Sequence, residues 1–286
     1  MRKNILYADR VKGDFDLGLE PSRIWPDAAK AWARMNTPGG LIPGGVEQDI
    51  YEISTTQNFR IGTRRVQDER VFRYAYTGLA TLTGRAVQNL STNEERNLAA
   101  AGSLAGATTV TITVIAAAGL AENELQGGYV CWTNITYQQH RIASHPQANN
   151  GATCVLTLET PVVTNPVVLN TTRLFPYHSP YASVGECVGG ANPFAKFVGM
   201  PPGTIAADKY IWIQTWGPVN VCPVGFYGGA GNQNAAWFAQ DGALSTPAIF
   251  PGSYQRAGYW LPCTYYGGAP VAMEDGNHLL MLQISP

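Results

Sequence analysis

The chain is short of charge. Only 14% of its 286 residues are Asp, Glu, Lys or Arg, against roughly a quarter in an ordinary soluble domain. The two signs nearly cancel, to a formal net charge of -1. No long-range field is available to gather phosphates, so a nucleic-acid partner is not expected. With so little charge to hydrate its surface, an isolated copy has adhesive faces, and the expected home is an oligomer or a larger assembly. No run of eighteen apolar residues occurs, so no helix is expected to cross a membrane, and no membrane partner is expected. The opening MRKNILYADRVKGDFD has basic residues but no apolar core of a secretory signal, so synthesis in the cytoplasm is expected. The cysteines Cys131, Cys154, Cys187, Cys222 and Cys263 are odd in number and far apart, with no CxxC pair. Buried free thiols are expected rather than disulfides or a metal site.

Catalytic signatures are also missing. There is no GxSxG, HExxH, GxxxxGK[ST] or EF-hand loop. His140 and His145 flank a strand end and could be joined by Cys131 or Cys154 as metal ligands, but their spacing is not that of a metal site. The carboxylates Glu122/Glu124 and Glu274/Asp275 are the candidate acid–base pairs, and both lie in turn-like sequence as solvated charges. No catalytic residue, cofactor or metal is therefore expected. The cluster Arg60, Arg64, Arg65, Arg70 and Arg73 is the densest basic stretch, and as alternating residues of a hairpin it fits a salt-bridging face.

What is abundant is Gly, Pro, Tyr, Trp and β-branched residues, and the most concentrated stretch is KYIWIQTWGP, Lys209–Pro218. Tyr210, Trp212 and Gln214 fall on one face of a strand there, and Ile211, Ile213 and Thr215 on the other. Large groups on both faces predict a strand covered on both sides, ending at Gly217-Pro218.

Residues 1–60 carry breakers at Pro21, Pro26, Pro38-Gly39-Gly40 and Pro43-Gly44-Gly45, with one short helix expected at Asp27–Met35. They are too apolar for a solvated tail and predict an extended arm lying across its own domain or a neighbour, with Phe15, Trp25 and Trp32 as candidate interaction residues. Gln57–Gln67 and Arg70–Tyr76 predict a hairpin around Asp68-Glu69. Arg85–Leu90 predicts a short strand, and Ser91–Ala101 a helix with a capping box, stopped at Gly102. Strands are expected at Thr108–Ile115, Gly128–Asn134, Gln139–Ser144, Thr153–Leu158 and Arg173–Pro176. In the first, Val110, Ile112 and Val114 alternate with Thr109, Thr111 and Thr113. Pro176–Pro202 predicts a loop, Val219–Val224 a strand near the Lys209 one, and His278–Ile284 a buried final strand. Residues 225–268 predict a long excursion whose Trp237, Tyr254, Tyr259 and Trp260 are further candidate interaction residues. The fold class is all-β, a β-sandwich or barrel-like body over residues 61–286 with an extended N-terminal arm and long loops.

Several segments in order resemble a family of tailed-phage virion structural proteins: VFRYA from Val71, LATLTGRAVQ at 79–88, Gly127-Gly128-Tyr129, Arg141-Ile142-Ala143-Ser144-His145-Pro146, Leu156–Pro161, and the Trp212–Pro218 strand. The resemblance spans about residues 60–224. Two departures concern turns: Asp68-Glu69 stands where Gly is expected after Asp, and Asp208 stands where Gly is common. The resemblance implies a structural role in the virion, made in the host cytoplasm, with no catalytic residues to carry over. The expected function is a capsid decoration or cement protein that binds the head lattice, with the major capsid protein and its own copies, as a homotrimer, for partners. The alternatives are a head fibre, a tail or baseplate structural protein, or a glycan-binding β-domain using the aromatics of 225–268.

Overall fold

The computed structural model describes residues 41–90, 97–116, 118–133, 137–163, 167–169, 171–187, 196–221, 235–239, 241–245, 255–261 and 278–286. Among them every regular element is a strand. The first are β1 (Arg64–Gln67), β2 (Arg70–Thr77), β3 (Val87–Asn89) and β4 (Asn97–Leu98). Then come β5 (Thr109–Thr113), β6 (Tyr129–Thr133), β7 (Tyr137–Ser144), β8 (Thr153–Leu158) and β9 (Arg173–Tyr177). The rest are β10 (Val184–Glu186), β11 (Phe197–Gly199), β12 (Lys209–Val221), β13 (Ala235–Phe238), β14 (Leu244–Ser245), β15 (Arg256–Trp260) and β16 (His278–Gln283).

Ten strands form one sheet in the order β11-β3-β10-β2-β12-β16-β15-β13-β14, with β1 beside β2. The sheet curls until its two ends nearly meet. The Gln255 side chain exchanges hydrogen bonds of 2.9 and 2.8 Å with the backbone of Phe197, and the Ala86 N–H donates to the Gly242 oxygen at 2.8 Å. The result is a nearly closed barrel, which leaves little free edge. Two apolar clusters fill it: Ile211 and Ile213 of β12 with Ala75, Val87 and Val184, and Phe238, Trp260, Leu280 and Leu282 with Ala86 and Phe197.

The Lys209 strand is buried on both faces, as its pattern predicts. Inside the barrel lie Ile211 and Ile213; outside, Trp212 meets Phe59 and Tyr74 edge-on, each with ring centroids 4.9 Å away. The strand does not stop at Gly217-Pro218. It runs on to Val221 by changing partner, from β2 as far as Trp216 to β16 from Trp216 onward, across a bulge between Gln214 and Trp216. Gly217 takes a φ of 92° there. The Pro218 oxygen accepts from the Gln214 side chain at 2.9 Å. Carbonyl and amide of one strand residue face the same way, so the missing N–H of Pro218 falls on the side that β2 has already left. The Val219–Val224 strand expected beside it is, as far as Val221, its own continuation.

Residues 41–60 take one of the two courses expected of the arm and lie across their own domain: they pack on the outer face of β2 and β12, with Ile50 and Phe59 buried against Tyr74 and Trp212. The clamp is polar at its centre. Gln48 is fully buried, its Nε2 donates to the Glu52 and Tyr210 oxygens, and its Oε1 accepts from Tyr74 Oη and Asn58 Nδ2. Its backbone oxygen accepts from Arg65 and from the Trp212 indole. Phe15, Trp25, Trp32 and the Asp27–Met35 helix lie outside the described residues.

The other six strands, in the order β4-β9-β6-β7-β8-β5, form a half-barrel inserted between β3 and β10. Ala99 joins its edges: it bridges Ile112 and donates to the Thr172 oxygen at 3.0 Å. Its core is separate, built from Trp132, Ile112, Ile142, Leu156 and Leu174 among others. The alternation in β5 holds: Val110, Ile112 and Val114 are all fully buried. The expected helix at Ser91–Ala101 does not extend through its end, because Asn97–Leu98 pairs with β9; residues 91–96 lie outside the described residues. Two expected loops also contain strands: Pro176–Pro202 supplies β10 and β11, and the excursion at 225–268 supplies β13, β14 and β15.

The turn departures are resolved in backbone terms. Asp68 and Asp208 both take left-handed φ, 55° and 60°, the conformation glycine favours and Asp and Asn tolerate best among the others. In the two-residue turn closed by Gln67 and Arg70, positive φ at the first central residue alone is the type II′ pattern rather than I′.

Candidate functional site

Among the described residues, the candidate interaction aromatics of 225–268 do not all share one face. Trp260 is 9% exposed and belongs to the barrel interior with Leu280 and Phe238. Trp237 and Tyr259 belong to the opposite face, half-buried, on the neighbouring strands β13 and β15. Tyr254 lies outside the described residues. Trp260 therefore serves packing, and among the described candidates Trp237 and Tyr259 share one face.

The basic cluster is dispersed into internal contacts. Arg65 pairs with Glu47 at 3.3 Å and lies over the Trp212 ring. Arg70 holds Asp68 and the Tyr51 hydroxyl. Arg73 donates to the Gly62 and Pro286 oxygens; burial lowers its pKa, helped by the like charges of Arg64 and Arg141. Arg60 and Arg141 share Glu159, at 3.9 and 3.8 Å. Through that last group the layer over the large sheet meets the half-barrel in a partly exposed contact. Gly127 sits at the same seam, where a β-carbon would come within 2.5 Å of the Ile61 oxygen.

The histidines are similarly occupied. His140 stacks on Trp132 and contacts Thr160 through Nδ1. His145 Nε2 accepts from the Leu125 N–H at 2.9 Å, so its proton is on Nδ1, directed at the Pro146 oxygen. Cys154 comes within 3.8 Å of that ring. Among the described residues no three His, Cys, Asp or Glu side chains gather as metal ligands do. Cys131, Cys154 and Cys187 are free thiols, raised in pKa by burial; Cys222 and Cys263 lie outside the described residues.

Two surface features remain. The first is a cleft of about 580 Å³ between the two sheets, lined by Tyr76, Tyr210, Gln57, Glu122, Glu124 and His178 among others. The Tyr76 hydroxyl donates to Asp208 at 2.6 Å, which with burial pushes its pKa up to about 12. Glu124 is engaged on both oxygens, by the Ala121 N–H and by His178. Tyr76 is thereby held protonated, and Glu124 and His178 are already paired with each other.

The second feature is the half-barrel's surface away from the large sheet. Between Asn97 and Tyr177 the charged residues are Glu122, Glu124, Arg141, Glu159 and Arg173. The first two line the cleft and the next two sit at the seam, so only Arg173 lies beyond them. At the far end, where β6 leaves and β7 and β9 begin, several apolar side chains are exposed beside Thr160, Thr171 and Arg173. Leu104 is 74% exposed, Tyr137 89%, Val163 68%, Val168 42% and Leu169 50%. Hydrogen bonds join their segments into one tip: Ser103 and Val167 exchange backbone bonds of 2.8 Å, and the Val163 N–H donates to Gln138 Oε1 at 3.2 Å. No sequence motif marks these residues. Gaps between charges do not single them out either, since the longest such gap, 210–240, includes most of the buried strand β12.

Comparisons with protein-family models, with curated protein sequences and with solved structures return no match.

Proposed function

We propose that this chain is a non-enzymatic structural protein of a tailed-phage particle, a capsid decoration protein that binds the head lattice and stabilises it. The observation that carries the reading is the half-barrel tip, a surface with Arg173 as its one described charge and with exposed Leu, Val and Tyr on an all-β base. Such a surface costs little to bury and much to leave wet, as expected of a protein that works in contact with others. The succession of segments resembling virion structural proteins supports the particle, and the low overall charge permits close packing of many copies on a shell. Weak contacts repeated over a lattice add to strong attachment, and a protein that binds only the assembled lattice stabilises that state by mass action. The major capsid protein and other copies of this chain, as a homotrimer, are the proposed partners. The burial of Trp260 removes part of the platform on which a glycan-binding reading depended. Reconstruction of the intact particle tests the proposal: density for this fold over the head shell at high copy number supports it, and density confined to the tail overturns it.

A further inference from the structure

We propose that the cleft between the two sheets is a binding site for a short, uncharged oligosaccharide. Its volume of about 580 Å³ falls within the range of small-ligand sites, about 300–1,000 Å³. The large sheet supplies two aromatic rings. Tyr76 of β2 and Tyr210 of β12 are register partners, so their side chains share a face, and the rings stand 5.1 Å apart at 48°. Both are half-buried and packed on the Phe59–Trp212 cluster behind them. The half-barrel supplies polar groups from the turn before β6. There the Asn123 side-chain oxygen accepts from the His145 N–H at 3.1 Å, and Gln126 Nε2 donates to the Ala143 oxygen at 2.9 Å. One half of each amide is thus held, and Asn123 Nδ2 and Gln126 Oε1 are left unengaged among the described residues. Gln57, in the layer over the large sheet, repeats the pattern: its Nε2 donates to the Phe59 oxygen at 2.9 Å and its Oε1 is left over. Glu122 also lines the cleft and is exposed to solvent.

These groups select among ligands by charge and by polarity. The charged and titrating residues of the lining, tyrosines aside, are Glu122, Glu124 and His178, and the last two are paired at 3.2 Å. No Lys or Arg is among the described lining residues, so a phosphate or carboxylate meets the Glu122 charge without a counter-charge. A wholly apolar ligand strips water from the carboxylate and the amides and returns no hydrogen bonds. A sugar ring satisfies both demands. Its C–H groups lie against the negative face of an aromatic ring. Its hydroxyls donate to the carboxylate and amide oxygens and accept from Asn123 Nδ2. A single site of this kind is weak, with a dissociation constant of about 0.1–1 mM; repeated on every copy in an assembly, it gives firm attachment. The inference stands on the cleft alone, so its failure leaves the head-lattice reading untouched.

Saturation-transfer NMR on the full chain tests this. Maltotriose, cellotriose and chitotriose serve as uncharged probes, trigalacturonate as an anionic one and choline as a cationic one. At least one uncharged probe should show transfer, and trigalacturonate should show none. Titration of that uncharged probe is then repeated on variants, with melting temperatures measured alongside. Glu122→Ala should weaken binding about tenfold, the loss of one charge-assisted hydrogen bond. Its melting temperature should not change, because the side chain is in solvent. Tyr210→Leu should weaken binding as much, whereas Tyr210→Phe, which keeps the ring, should bind as the wild type does. Tyr137→Ala, at the half-barrel tip, should leave binding unchanged. Transfer to no uncharged probe, or a Glu122→Ala affinity equal to that of the wild type, overturns the proposal. So does trigalacturonate binding on a par with the uncharged probes. Binding of choline alone overturns it too and makes the cleft a cation site instead.

Discussion

The Trp212 indole donates a hydrogen bond of 3.2 Å to the backbone oxygen of Gln48, across 164 residues of sequence. It ties the most aromatic strand of the chain to a segment that looks like a loose arm. Around it Gln48 satisfies four further partners through its amide and two donors share its carbonyl, so residues 41–60 form a second layer over β2 and β12 rather than a free tail.

The clamp predicts large costs for small changes. Tyr74→Phe removes the hydroxyl that donates to Gln48 Oε1 at 2.8 Å and accepts from the Asn58 N–H at 3.0 Å. Gln48 Oε1 keeps Asn58 Nδ2, but leaving the buried Asn58 N–H without its acceptor costs about 1–3 kcal/mol. Gln48→Ala should cost more, since it removes the acceptor of the Tyr74 hydroxyl and of Asn58 Nδ2 together with the donor to the Glu52 and Tyr210 oxygens. Denaturant unfolding of both variants checks the order, and a loss smaller for Gln48→Ala than for Tyr74→Phe contradicts it.

Gly217→Ala tests how β12 passes through its Gly-Pro pair. With φ at 92° and a β-carbon within 2.5 Å of the Glu69 oxygen, the substitution strains the backbone and moves the β1–β2 turn. A loss of about 1–3 kcal/mol is expected. Gly203→Ala, where nothing lies within 4 Å, is the control and should change stability by a few tenths of that. Thermal unfolding of the pair decides it.

How much of this was legible in the sequence depends on whether the signal was local. The strands β5 and β8 lie where alternation puts them, because each shows one apolar face to a core. The double burial of Ile211 and Trp212 was equally plain. The continuation of β12 beyond Pro218 was not, since it depends on a bulge and on a second partner strand far along the chain. The same holds for β13 and β15: Gly258 approaches Met281 so closely that a β-carbon would collide with its oxygen, and nothing local announces that neighbour. Trp260 looked like a binding residue for its composition alone, whereas the pairing of β15 with β16 turns it inward. The tip is built from three separated segments that only the topology brings together.

His145 makes the fold sensitive to acid. Burial lowers its pKa from the ordinary 6.5, against the opposing pulls of the Pro146 oxygen and of Glu124 and Glu122 and with the like charge of His178. The unfolded chain thus binds the proton more readily than the folded one. The histidine's contribution is complete above pH 6.5 and is lost as pH falls from there through the lowered folded value. Protonation of Nε2 also removes the acceptor for the Leu125 N–H. The melting temperature should fall between pH 7 and pH 5, and His145→Gln should flatten that slope. An identical slope in the variant contradicts the assignment.

Attachment to the shell should be mostly non-ionic. Salt screens charge pairs exposed to water and leaves apolar contacts in place, so release of the protein from particles in about 1 M NaCl should match release at low salt. Progressive stripping as salt rises points to a charge-driven contact and against the sparsely charged surface described above.

The central claim is that the protein stabilises the filled head, and DNA retention tests it most directly. Particles lacking the protein and complete particles are heated side by side, and released DNA is followed with a nuclease-accessible dye. The account predicts that the deficient particles lose their DNA at a lower temperature, and that adding back purified protein restores the wild-type curve. Superimposable release curves for the two kinds of particle would contradict it.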